Sequence, residues 1–188
     1  MEKKDSSILF PTRKIIKYID CDGVIMDTQN GLFHDFEKLQ RRNTNLSGLE
    51  YLANMDWEYW INQADVINDS IDIIKEQDPT NVILLTKVHS LNEGKEKIRF
   101  FRNNGLKNNI ILVPNGLTNS AVVSASRNIL VDDFKRNLVD WENSNGVPIL
   151  FNPYGDLDDN YDSISSLNEI FTPEFDEKIR QKVLTKSL

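Results

Sequence analysis

The stretch that decides the fold is "YIDCDGVIMDT", residues 18–28. It closes the apolar run "KIIKYID" (14–20) and sets Asp20, Asp22 and Asp27 close together. Alternation at a strand end sends Asp20 and Asp22 to the same side. Gly23 then lets the backbone turn sharply and lie close to a ligand. Carboxylates in such number repel one another, and some are forced to protonate unless a cation lies among them.

Two further apolar runs end the same way: "NVILLT" (81–86) on Thr86, and "NILVDD" (128–133) on Asp132 and Asp133. With "NIILV" (109–113) and "VPILF" (147–151) they form a set of continuous Ile/Val/Leu segments. Continuous runs suit strands buried on both faces of a parallel sheet. Helical patterns lie between them: 31–42, with Leu32, Phe36 and Leu39 on one face; 92–105, stopping at Gly105; and 133–146, with Phe134, Leu138 and Trp141 on one face. The alternation predicts an α/β fold, a doubly wound parallel sheet whose ligands bind outside the C-terminal strand ends. Side by side, those ends gather Asp20, Asp22, Asp132, Asp133 and the Thr86 hydroxyl. Mg²⁺ prefers such oxygen ligands and commonly takes a few carboxylates together with substrate phosphate.

The span from 28 to 80 is too long for a simple crossover, and "YLANMDWEYWINQADVI" (51–67) gathers Tyr51, Trp57, Tyr59 and Trp60. It reads as a small helical insertion over the strand ends, its aromatics either lining a pocket or forming its own core. Residues 13–27 and 81–171 then form the core, 28–80 the cap, and 172–188 a closing helix with Thr172 as its cap and Pro173 at its first position.

Composition narrows the function classes. The 188-residue chain carries a formal net charge of −7 and shows no basic stripe, so a polymeric nucleic-acid partner is not expected. A small phosphorylated ligand stays compatible, because a bound cation reverses the local sign. Its one cysteine, Cys21, excludes an internal disulfide and is expected to turn into the core. "MEKKDSS" leads into no signal-like apolar stretch, and no run approaches the ~18 residues of a membrane span, so a soluble, cytoplasmic protein is expected.

"IDCDGVIMD", "VILLT" and "ILVDD", in this order, resemble the first, second and fourth motifs of the haloacid dehalogenase (HAD) superfamily of phosphatases. Asp20, Asp22, Gly23 and Asp27 match the first motif. Within the superfamily, "VVSASRNILVDD" (122–133) and the spacing of "EGKEKIRFFRNNGL" resemble 5'(3')-deoxyribonucleotidase-like proteins. The resemblance implies a phosphoric monoester hydrolase in which Asp20 attacks phosphorus and Asp22 acts as acid and base. It also implies that Thr86 holds a phosphate oxygen. Mg²⁺ would be held by Asp20, Asp132, Asp133 and the main-chain carbonyl of Asp22.

One part of the pattern is missing. The family's third-motif lysine would precede "VVSA", yet "VPNGLTNSAVVSA" (113–125) contains none. Lys87, beside Thr86, is the first substitute as phosphate ligand, with Lys95 and Arg127 behind it. Without a substitute, the alternative is a binding or regulatory protein on the same fold. A phosphoryl-accepting receiver domain is disfavoured, because here the DxD pair comes first and the DD pair last. His89 is read as a loop histidine without special role, His34 as surface or interdomain packing, and the acidic loop 155–163 as a solvated turn.

Overall fold

In the computed structural model, residues 14–43, 45–155 and 160–185 are described. The "MEKKDSS" segment, the middle of the acidic loop, and the side chains of 29–34 (Leu32 and His34 among them) lie outside that description. Strand β1 (Lys17–Ile19) leads through the turn at Gly23 into β2 (Met26–Asp27). Three helices follow: α1 (Gln29–Gln40), α2 (Gly48–Ala53) and α3 (Trp57–Gln63). Strand β3 (Asp65–Val66) then returns antiparallel to β2 and closes the excursion. The remaining elements are α4 (Ser70–Lys75), β4 (Val82–Val88), α5 (Leu91–Asn103), β5 (Ile110–Pro114), α6 (Asn119–Val122) and β6 (Ile129–Asp132). After them come α7 (Lys135–Asn143), β7 (Val147–Phe151), β8 (Ser163–Ile164), a 3₁₀ turn (Leu167–Phe171) and α8 (Pro173–Thr185).

Six strands form one sheet in the order β5-β4-β1-β6-β7-β8, every pairing parallel. The chain starts in the middle at β1, builds outward through β4 and β5, then crosses to β6 on the other side. That reversal at β1 is the topological switch point, where the strand ends open a crevice. The five expected strands are all present. Side chains alternate between two cores. Ile19, Leu84, Val131 and Ile149 pack with Ile74 of α4, Phe101 of α5 and Ile179 of α8. Tyr18, Leu85, Leu130 and Leu150 pack with Leu138 and Trp141 of α7. Burial on both faces explains why these strands read as unbroken apolar runs.

Two local expectations need correction. The helix sought over 133–146 begins at Lys135, because Asp132 accepts a hydrogen bond from the Phe134 amide and Phe134 precedes the first turn. Phe134 is therefore 59% exposed and shares no buried face with Leu138 and Trp141. Within the aromatic stretch 51–67, Asp56 starts α3 by accepting from the Tyr59 amide, and the segment ends in β3. Of the 28–80 span, α1 to α3 lie between β2 and β3, whereas α4 buries Ile71, Ile73 and Ile74 in the main core. Thr172 does accept from Phe175 N–H at 3.2 Å, as expected of the α8 cap. Among the described residues no helix is long and apolar enough to cross a membrane.

The excursion has its own packing and a firm seat. Phe36 of α1 meets Tyr51 of α2 with ring centroids 5.3 Å apart. Helix α3 packs on α5, and Arg99 of α5 reaches Glu58 at 3.2 Å. Trp57 is only 3% exposed and donates its indole N–H to Leu52 O at 2.9 Å, so it belongs to the core. Tyr59, edge-on to Trp60, is 57% exposed. Trp57→Ala is therefore expected to cost about 3–5 kcal/mol of stability, the usual penalty for emptying a buried aromatic site. Tyr59→Ala should leave the melting temperature nearly unchanged, which parallel thermal melts would check.

Candidate active site

Parallel pairing aligns the ends of β1, β4 and β6 and brings the sequence motifs together. The Asp20 amide donates to Val131 O at 2.9 Å, which fixes the β1 end against β6. One carboxylate oxygen from each of Asp20, Asp132 and Asp133 lies within 4.8 Å of the others. Asp132 is held at both oxygens, Oδ1 accepting from Phe134 N–H and Oδ2 from Asn137 Nδ2, each at 2.8 Å. Gly23, at φ +76°, is required by Asp133: a Cβ there would sit 2.2 Å from Asp133 Oδ2. Gly23 therefore serves the turn and the close approach of this carboxylate together.

Burial raises the Asp20 carboxyl well above its ordinary value, and the charges of Asp132, Asp22 and Asp133 push it further the same way. Asp132 is likewise raised, to about 7, chiefly by burial, with Asp133 adding to it while the hydrogen bonds from Phe134 and Asn137 oppose. Lys87 is a cation on the Asp132 side of this oxygen-rich cluster and partly offsets its charge. The cluster's donor set fits a hard divalent cation.

Asp22 points away from that trio. Its Oδ1 accepts from Thr28 Oγ1 at 2.8 Å, and its Oδ2 from Lys97 Nζ at 2.5 Å and from Thr86 Oγ1 at 3.3 Å. Lys97 is the residue that sequence reasoning missed. Its side chain is 0% exposed, and Nζ also donates to Glu93 Oε1 at 2.7 Å, Lys87 O at 3.0 Å and Thr86 Oγ1 at 3.1 Å. The Trp57 ring lies over it, 6.0 Å from Nζ to the centroid. Burial alone would lower the Lys97 ammonium, but the carboxylates of Asp22 and Glu93 outweigh it and hold its pKa above the usual lysine value.

The three lysine substitutes considered from sequence lie elsewhere. Lys87 Nζ donates to Asn137 Oδ1 at 2.6 Å, on the Asp132 side of the site. Lys95 is an exposed partner of Glu96 at 3.3 Å, and Arg127 precedes β6, at the sheet edge opposite the acidic cluster. Two residues along a helix is more than half a turn, which separates Lys95 from Lys97. A clue was present: Lys97 shares a stripe with Gly94 and Phe101, both buried. His89 lies in the loop after β4, where its amide donates to Glu93 Oε2 at 2.6 Å and its Nδ1 lies 3.2 Å from the same oxygen. Cys21 is buried, as expected, and Asp162 pairs with Lys178 and Lys182.

No family model and no curated protein sequence matches this chain. Solved structures do. A HAD hydrolase of family IA, variant 3, from Entamoeba histolytica superposes with a TM-score of 0.61 at 15% identity, over 88% of this chain and 99% of that one. A β-phosphoglucomutase from Clostridium difficile gives 0.59 at 13% identity, over 91% and 99%. A HAD hydrolase from Bacillus subtilis, solved bound to magnesium, gives 0.58 at 11% identity, over 85% and 98%. With six parallel strands about a central β1 and a helical excursion between β2 and β3, the chain has the α/β fold of the HAD hydrolases.

Proposed function

We propose that this chain is a Mg²⁺-dependent phosphomonoesterase of the HAD superfamily, working through an aspartyl-phosphate on a small phosphate ester. The observation that carries this reading is Lys97, a buried ammonium joining Asp22 and Thr86 at the strand edge that holds Asp20. It supplies the cation that the sequence pattern lacked. The alternative of a catalytically silent binding protein was motivated by that absence, and the placement of Lys97 favours the phosphatase over it.

The proposed chemistry follows from the placement of the groups. An Asp20 oxygen attacks phosphorus, and the ester oxygen leaves with a proton from Asp22. Asp22 then takes a proton from water, whose oxygen attacks the phosphorus and restores the Asp20 carboxylate. Lys97 and the Thr86 hydroxyl hold non-bridging oxygens as charge moves onto them. Asp20, Asp132, Asp133 and the Asp22 carbonyl would hold Mg²⁺, which when bound offsets negative charge on the transferring group. Lys87 acts at this site through Asn137, which orients Asp132.

The magnesium of the Bacillus subtilis structure supports the choice of ion. A nucleoside monophosphate is the finer proposal, motivated by the exposed Tyr59 on α3 as a surface on which a base could stack. The net charge of −7 supports a small anionic ester over polymeric nucleic acid, and a cytoplasmic setting goes with the same reading. A phosphate-release screen over nucleotides and sugar phosphates, with and without Mg²⁺, tests it. Tyr59→Ala should shift relative rates toward the sugar phosphates if the nucleoside reading holds, and leave them unchanged if it fails.

Mg²⁺ also has a stability signature. Asp20 and Asp132 titrate above their unfolded values, so the metal-free folded state binds more protons than the unfolded chain in that window. Stability contributed by these groups is complete below the ordinary carboxylate range and declines as pH rises through neutrality. Metal-free melts should therefore fall from about pH 5 to about pH 8, and Mg²⁺ should raise the melting temperature more at the upper end. An equal Mg²⁺ shift at both ends would place the ion elsewhere.

A further inference from the structure

Glu93 has no part in the reaction just described, yet its carboxylate is 2% exposed and lies beside the site. Burying a carboxylate is unfavourable unless both oxygens are engaged. Here they are divided between two tasks. Oε1 accepts from Lys97 Nζ at 2.7 Å, one helical turn onward on α5. Oε2 accepts from the His89 amide at 2.6 Å and lies 3.2 Å from His89 Nδ1. Burial would raise the Glu93 carboxyl, but the bonds from His89 and Lys97 outweigh it and leave it below its ordinary value.

The backbone that carries Glu93 is equally constrained. Ser90 caps α5 by accepting from Glu93 N–H at 3.1 Å. Gly94 lets this turn press onto β5, since a Cβ there would lie 2.5 Å from Leu112 Cδ1. Glu93 thus ties the loop after β4, which begins just past Thr86 and Lys87, to the ammonium that reaches Thr86. The other anion on Lys97 is Asp22, which exchanges a proton in each half of the proposed reaction. Glu93 is the partner whose charge the reaction leaves unchanged.

We propose that Glu93 is a positioning residue: it fixes the Lys97 ammonium at the phosphate-binding edge through the cycle, while Asp22 exchanges its proton. This rests on the phosphatase reading for the ligand Lys97 serves, but the pairing itself is testable without activity. The experiment compares wild type, Glu93→Gln, Lys97→Met and the double variant, with Mg²⁺ present. Its readouts are inorganic phosphate binding by calorimetry, thermal melts, and side-chain NMR of nitrogen-labelled lysine. Lys97 is assigned by the signal that Lys97→Met removes.

Wild type should show a slowly exchanging Lys97 ammonium signal that Glu93→Gln broadens or shifts. Glu93→Gln should also weaken phosphate binding roughly tenfold or more, the scale seen when a group orienting a ligand-contacting residue is removed. Adding Glu93→Gln to Lys97→Met should weaken phosphate binding no further, because residues acting as one unit are not additive. Should Glu93→Gln alone fail to fold, the double variant should recover stability, since it removes both buried charges together. An unchanged Lys97 signal in Glu93→Gln, additive losses, or no recovery in the double variant would each overturn the proposal. If wild type binds no phosphate but Glu93→Gln still perturbs the Lys97 signal, the pairing stands and the phosphatase reading is what fails.

Discussion

Asp20→Asn is expected to abolish phosphate release and, at the same time, to raise the melting temperature of the metal-free protein at about pH 8. The first effect follows because an amide cannot serve as the attacking carboxylate. The second follows from the electrostatics around it. Burial and the charges of Asp132, Asp22 and Asp133 all oppose ionisation of Asp20, so at this pH its charge works against folding. Asn removes that charge at nearly the same volume. The Mg²⁺-dependent rise in melting temperature should shrink in the same variant, because one of three clustered carboxylates is lost. Melts with and without Mg²⁺, run beside a phosphate-release assay, check all three effects. A variant that still hydrolyses esters would remove Asp20 from the role of nucleophile.

Lys97→Met should be nearly as severe. Methionine keeps much of the side-chain length and loses the charge, so the ammonium that reaches Asp22 and Thr86 disappears. A cation aimed at developing phosphoryl charge is worth roughly a hundredfold or more in rate. Stability should fall too, because Glu93 and Asp22 each lose a charged partner and Glu93 remains buried. Breaking a buried ion pair from one side costs about 3–5 kcal/mol. Lys97→Arg separates the two effects: it keeps the charge but crowds a fully buried position beneath Trp57. By contrast, Lys87→Ala should act through Asn137 and Asp132, weakening Mg²⁺ more than substrate binding.

The difference between these lysines shows what the sequence could and could not convey. Asp20, Thr86, Asp132 and Asp133 were legible because each closes a buried apolar run, at or near the end of β1, β4 or β6, and parallel pairing turns strand ends into spatial neighbours. Lys97 was not, because it lies mid-helix, where position around the axis decides what a side chain reaches. Its stripe with Gly94 and Phe101 marks it as buried. A lysine on a buried stripe is a stronger sign of function than one beside a motif, since it needs charged partners to be there at all. Trp57 shows the same limit in reverse. The sequence left a pocket lining and a core role both open for it, and the chain folds it against α5 while Tyr59 stays exposed. The start of α7 depended on one side-chain bond, from the Phe134 amide to Asp132, which periodicity cannot register.

If Asp20 carries the phosphoryl group, its acyl phosphate can be trapped chemically. Protein turning over a phosphate ester with Mg²⁺ is quenched in acid, reduced with borohydride and read by peptide mass spectrometry. Reduction converts an aspartyl-phosphate to homoserine. Homoserine is expected at position 20 and at no other aspartate, only when ester and Mg²⁺ are both present. Steady phosphate release with Asp20 unmodified throughout, or homoserine at Asp22, Asp132 or Asp133, would contradict Asp20 as the phosphoryl carrier.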